Sequence, residues 1–115
     1  MIALPEIEAA ERSHDGQRES LTLRFAIPAS LRYFEGHFPE VPLLPGVVQI
    51  GWAVEFARQH FELPARFHSL IGVKFTRVIQ PGANVTLRLW KESEAVSFAF
   101  DADGHACSSG RVHFN

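Results

Sequence analysis

From Leu21 onward the side chains alternate, with Leu21, Leu23, Phe25 and Ile27 apolar and Thr22, Arg24 and Ala26 between them. A period of two marks a strand with one buried face, and Pro28 ends it. The preceding residues, 1 to about 19, are polar and charged and read as a lead-in with a turn at Ser13-His14-Asp15-Gly16. After the strand, Tyr33 to Pro45 contains Gly36, Pro39, Pro42 and Pro45, which excludes a regular element. The segment is nevertheless apolar and aromatic enough to pack down rather than stand in solvent.

The pattern then changes period. From Gly46 to about Phe61 the apolar residues Val47, Val48, Ile50, Trp52, Ala53, Val54, Phe56 and Ala57 cover nearly the whole circumference of a helix. A helix apolar all round is a buried one. It is shorter than the roughly 20 residues that span a bilayer, so a sheet has to enclose it. Arg58, Gln59, His60 and Glu62 turn its end polar, and Pro64 closes it. The rest of the chain is predicted as strands over His68–Ile79, Asn84–Glu92, Ala95–Ala102 and His105–Phe114. Pro81-Gly82, Ser93-Glu94 and Asp103-Gly104 separate them, the last being a strong two-residue hairpin signal. One long helix and one antiparallel sheet is an α+β arrangement in a single domain, 1–115, with the sheet curled around the helix. So apolar a helix is hard to cover with one small sheet, which predicts that a second subunit helps to bury it.

Composition narrows the function. Eleven Lys and Arg against 13 Asp and Glu give a net charge of -2, which argues against a nucleic-acid binder. One cysteine, Cys107, allows no internal disulfide. Met1 to Ala10 carries glutamates and no basic residue, the wrong sign for a secretory signal. With no membrane-length apolar run, the expectation is a soluble, cytoplasmic protein with no membrane or nucleic-acid partner.

The stretch richest in chemistry is Tyr33-Phe34-Glu35-Gly36-His37-Phe38-Pro39, running on through Pro42-Leu43-Leu44-Pro45-Gly46-Val47-Val48-Gln49. It delivers a histidine, in a proline-stiffened loop, to the start of a buried helix. The first N–H groups of a helix lack intrahelical acceptors and sit at the positive end of its dipole. Gly46 has no side chain to keep a ligand oxygen away from them. A base beside such donors, in apolar surroundings, suits acid–base chemistry at a carbonyl compound. His37 is the candidate base.

Gly36-His37-Phe38-Pro39 followed by Pro42 and Pro45-Gly46 resembles the signature of the hotdog-fold 3-hydroxyacyl-[acyl carrier protein] dehydratases of the FabA/FabZ type. Pro42 to Gln49 with Trp52-Ala53 is most similar to the ApeI-like branch associated with aryl polyene synthesis. Downstream, Val73-Lys74-Phe75-Thr76-Arg77 with Pro81-Gly82 is similar to the family's strand and turn motif. The resemblance implies a dimeric functional unit and the dehydration of a 3-hydroxyacyl thioester, on acyl carrier protein or coenzyme A, without metal or cofactor. By position His37 matches the catalytic histidine and Gly46 the glycine whose N–H binds the thioester carbonyl. Phe38, Val47 and Gly51 stand beside them as candidate substrate contacts.

One departure stands out. The family's second catalytic residue is a carboxylate fourteen positions after the histidine, where this chain has Gly51. Glu55, one helical turn further on and on the same face, is the candidate replacement acid. Two alternatives stay open: a hotdog thioesterase, or a non-catalytic subunit that completes a partner's active site in a hetero-oligomer rather than a homodimer. Arg58, Arg66, Lys74, Arg77 and Arg111 read either as a basic rim for an acidic carrier or as a solvated face. His14, His60, His68, His105 and His113 show no metal-ligand spacing.

Overall fold

The alternating segments pair side by side as antiparallel strands, and the helix lies across the apolar face they share. The structure, a computed structural model, describes residues 4–16, 18–28 and 43–115. Among these residues the elements are β1 (Ala9–Asp15), β2 (Arg18–Ala26), α1 (Gly46–His60), β3 (Phe67–Phe75), β4 (Asn84–Glu92), β5 (Ala95–Ala102) and β6 (His105–Phe114). The strands form one sheet in the order β1-β2-β4-β5-β6-β3. No helix among the described residues is long and apolar enough to cross a membrane.

Register places the alternating apolar residues in rows. Leu21 pairs with Leu89 and Leu89 with Phe98; Leu23 pairs with Leu87 and Leu87 with Phe100. These rows form the floor on which Trp52, Ala53, Phe56 and Ala57 of α1 are buried. Trp52 meets Phe25 edge-on, with ring centroids 5.8 Å apart. The last hairpin turns at Asp103 and Gly104 with φ 49° and 83°, the left-handed pair anticipated for that dipeptide.

Two expectations need correction, the lead-in and the end of β3. The lead-in is partly a strand: β1 pairs with β2 from Ala9↔Arg24 to Asp15↔Arg18. It is an edge strand whose side chains from Ala9 to His14 are exposed, so no apolar alternation marks it. The helix, as its all-round apolar surface predicts, is not covered on all sides within one chain. Val48, Gln49, Trp52, Ala53, Phe56 and Ala57 are buried, but Val47 is 72% exposed and Ile50, Gly51, Val54 and Glu55 are partly so. Finally, β3 stops at Phe75 instead of Ile79. Thr76 and Arg77 both turn their N–H groups to the Cys107 carbonyl, and the chain departs from the sheet to pass beside Leu44.

The two edges of the sheet differ. β1 presents Glu11, Arg12, Ser13 and His14, whereas β3 leaves Phe67, Ile71 and Phe75 exposed. Within β3, Gly72 at φ 64° forms a bulge where Ile71↔Arg111 gives way to Lys74↔Ser109.

Arg12 fastens β1 to the end of the helix. Its guanidinium donates to the His60 carbonyl and lies 5.7 Å from the centroid of the Phe61 ring. Burial, and then the Arg12 charge, hold the His60 imidazole below its ordinary value of 6.5. The unfolded chain therefore takes up this proton first, and the associated stability, present above pH 6.5, is lost as the pH falls through it. Urea unfolding should show a lower midpoint at pH 5.5 than at pH 7.5, and His60→Gln should flatten that dependence.

Candidate active site

The helix starts abruptly. Pro45, with φ -59° and ψ 145°, precedes Gly46, no side chain caps the first turn and no acidic residue lies in it. The N–H groups of Val48 and Gln49 both donate to the Pro45 carbonyl, at 3.1 and 3.2 Å. Those of Gly46 and Val47 precede the first intrahelical bond, so the positive end of the dipole is left without a helical acceptor.

A cavity of about 460 Å³ opens at this end, lined by Leu43, Leu44, Gly46, Gln49 and the segment Phe75–Val78. The Phe75 ring lies directly over Gly46: a Cβ on that residue would stand 2.7 Å from Cζ of the ring. Glycine here suits a close approach and not a special backbone angle: a side chain would have to displace the Phe75 ring. The rim of the cavity is fixed by hydrogen bonds. The Leu44 N–H donates to the Ile79 carbonyl at 2.8 Å, and Nε2 of Gln49 donates to the Leu44 carbonyl at 3.1 Å. Oγ of Ser108 in turn donates to Oε1 of Gln49 at 2.7 Å. Among the described residues nothing accepts from the Gly46 and Val47 N–H groups, so backbone donors face the edge of an apolar cavity, the geometry that stabilises developing negative charge on a carbonyl.

Of the residues singled out in the sequence, Gly46 lies at the cavity. Val47, Gly51 and Glu55 follow one another at intervals of four, a stripe along the helix face that the sheet leaves open. Among the described residues no ion pair engages Glu55. His37 and Phe38, with the rest of the loop from Tyr33 to Pro42, lie outside the described residues. Gln49, Ser108 and the contact of Phe75 with Gly46 were not anticipated. The available signal was Gln49 itself, a polar residue in the midst of an apolar helical run.

Of the basic candidates, Arg77 lines the cavity, whereas Arg58 is engaged elsewhere and Cys107 is inert. Arg58 lies 5.0 Å from the Phe114 ring centroid and donates to the Ala65 carbonyl. Cys107 is fully buried, and burial pushes its thiol above the ordinary value, away from the thiolate a nucleophile needs.

Comparison with known proteins places these observations in a family. A model of the ApeI-like family, described as ApeI dehydratase, matches residues 11–111. The chain is 31% identical to a chain of the dehydratase heterocomplex ApeI:P from Xenorhabdus doucetiae, with a TM-score of 0.80 covering 95% of this chain and 96% of that one. An uncharacterised protein from Erwinia carotovora subsp. atroseptica is 26% identical, with a TM-score of 0.82 over 96% and 95%. The curated 3-hydroxyacyl-[acyl-carrier-protein] dehydratase FabZ of Sorangium cellulosum is 26% identical over 98 residues, 70% of this chain and 61% of that protein. The chain thus spans less than two thirds of that relative's length. The expected hotdog fold, α+β with a sheet around a central helix, holds.

The close approach at Gly46 is testable against a second one. A Cβ at Gly110 would meet Cζ of Phe98 at 2.8 Å and Cγ2 of Val73 at 3.1 Å. Phe98 is 1% exposed and closed in, whereas Phe75 is 52% exposed and free to swing outward. Gly110→Ala should therefore destabilise by about 1–3 kcal/mol, and Gly46→Ala by less than about 1 kcal/mol, measured by urea unfolding followed through tryptophan fluorescence.

Proposed function

The chain belongs to the ApeI-like dehydratase family, and on that basis we propose that it removes water from 3-hydroxyacyl thioesters carried on acyl carrier protein or coenzyme A. The observation that carries this reading is the family match over residues 11–111, which includes both the histidine loop and the helix start. The uncapped amides beside the apolar cavity support it.

In this mechanism the Gly46 N–H binds the thioester carbonyl oxygen, where charge grows as the C2 proton leaves. His37 takes that proton. The C3–O bond then breaks, the hydroxyl leaves as water after receiving a proton, and the electron pair from C2 forms the double bond of the trans-2-enoyl product. Glu55 donates the proton, replacing the carboxylate absent at Gly51. Phe38, Val47 and Gly51 are the further substrate-binding residues of this reading. The reaction needs no metal or cofactor, and we read it as cytoplasmic.

The working unit is a dimer of hotdog chains, identical or different. Two observations support this. The exposed Val47, with the partly exposed Ile50 and Val54, leaves half of α1 uncovered, and β3 offers an apolar edge. The similar chain from Xenorhabdus comes from a heterocomplex. Light scattering should return about twice the chain mass of 12.9 kDa, alone or with an equal partner. A monomeric mass under both conditions would remove the shared-site reading.

Product chromatography from one 3-hydroxyacyl thioester tests the activity: enoyl thioester is expected, whereas free acid and thiol would indicate thioesterase chemistry. His37→Ala should abolish turnover and Glu55→Gln should lower it by roughly 10²- to 10⁴-fold. Gly51 also favours a second reading, a subunit that completes a partner's site. In that case both variants would match the unaltered chain when mixed with the partner.

A further inference from the structure

Gln49 and Ser108, 3% and 5% exposed, are with Ser97 the buried polar side chains of a largely apolar core among the described residues. Their mutual hydrogen bond is not needed to hold the core, since a buried pair replaced on both sides by apolar groups of similar shape can be nearly neutral. A hydrogen bond differs from apolar packing in being directional, and the direction here is specific.

Gln49 grips two successive carbonyls ahead of it. Its backbone N–H donates to Pro45 and its Nε2 to Leu44. Leu44 is held on its other side by its own N–H on Ile79, which anchors the segment to the stretch between β3 and β4. Pro45 has its φ fixed by the ring, so little freedom remains between the Leu44 carbonyl and the next peptide unit. That unit joins Pro45 to Gly46. Its carbonyl is held by Val48 and Gln49, and because a trans peptide is planar its N–H must point the opposite way, out of the helix. Ser108, on β6, fixes the Gln49 carboxamide so that its nitrogen, not its oxygen, faces Leu44.

We infer that Gln49 and Ser108 are positioning residues for the Gly46 amide, a hydrogen-bonded strut from β6 that sets where this donor points. The role rests on the reading of Gly46 as the thioester-binding donor. Neither side chain touches the reacting atoms. Their contribution lies in orientation, which matters most where charge develops in the transition state and little for ground-state binding.

The test compares Ser108→Ala and Gln49→Met with Val112→Ala, a core truncation on the same strand, using the full chain and its partner subunit where activity requires one. Ser108→Ala and Gln49→Met should lower kcat by roughly 5- to 50-fold with KM within about twofold, and should shift the ¹H–¹⁵N amide resonances of Gly46 and Val47. Val112→Ala should lose stability without either change. Should Gln49→Met fail to fold, Ser108→Ala carries the comparison. Unaltered kcat in Ser108→Ala would overturn the inference. If the unaltered chain dehydrates no 3-hydroxyacyl thioester, the functional reading fails separately, and the two amide resonances decide the strut: shifted in Ser108→Ala they support it, unmoved they overturn it.

Discussion

Trp52, in the middle of α1, is fully buried against the sheet, while Val47 on the far side of the same helix is almost bare. A sheet of this size can wrap one side of a helix, and this helix is apolar on all of them. The remaining organisation follows from that shortfall. The covered half supplies the core rows from Leu21 to Phe100 and makes the fold. The uncovered half, with Val47, Gly51 and Glu55 in line, is where the proposed chemistry and the proposed second chain would meet. Closing that half within one chain would bury the stripe of candidate residues along with it.

The same division explains how the helix start is stabilised. An uncapped N-terminus in an apolar setting leaves backbone donors without partners, an unfavourable arrangement unless something fixes it from outside. Here the fixing elements come from three parts of the chain: Ile79 ahead of β4, Gln49 in the helix and Ser108 on β6. Each bonds to the segment preceding Gly46 or to another member of the set, and none occupies the Gly46 amide. The donor stays available because its neighbours are constrained. Phe75 adds a wall, its ring standing where a Cβ on Gly46 would be.

How much of this could be read from the residues depended on whether a face is buried. Strands β4, β5 and β6 begin and end where alternation and turn residues place them: tight turns separate them, and large apolar residues alternate along β4 and β5. The Asp103-Gly104 turn was legible for a local reason, a dipeptide suited to positive φ. β1 was not, because an edge strand exposed along its length is specified by pairing with β2 and not by any apolar period. The departure after Phe75 was equally hidden: Val78 and Ile79 continue the apolar pattern, and only the bonds of Thr76 and Arg77 to Cys107 redirect the chain. At the site, the helix start and Gly46 were visible as a motif. The Gln49–Ser108 bond spans 59 positions and joins residue types with no apolar signature, so it emerges only from the tertiary structure.

Gly51 and Glu55 make most sense as a pair. Side chains on a helix lean toward its N-terminus, so that a residue covers the surface of the turn before its own Cα. Glutamate at position 55 is thus inclined toward the turn that begins at Gly51, and glycine there offers no side chain to obstruct it. A family carboxylate at position 51 would occupy that space itself. Moving the acid one turn along the helix shifts its backbone by about 5.4 Å, and the lean of the longer side chain recovers part of that distance toward the Gly46 end. Under the proposed mechanism the helical glycine, unfavourable by about 1 kcal/mol relative to alanine, would spare the displaced acid a neighbouring side chain one turn back. The open face of α1 then carries, in one line from Val47 to Glu55, the whole of the helix's proposed contribution to catalysis except the amide at its start.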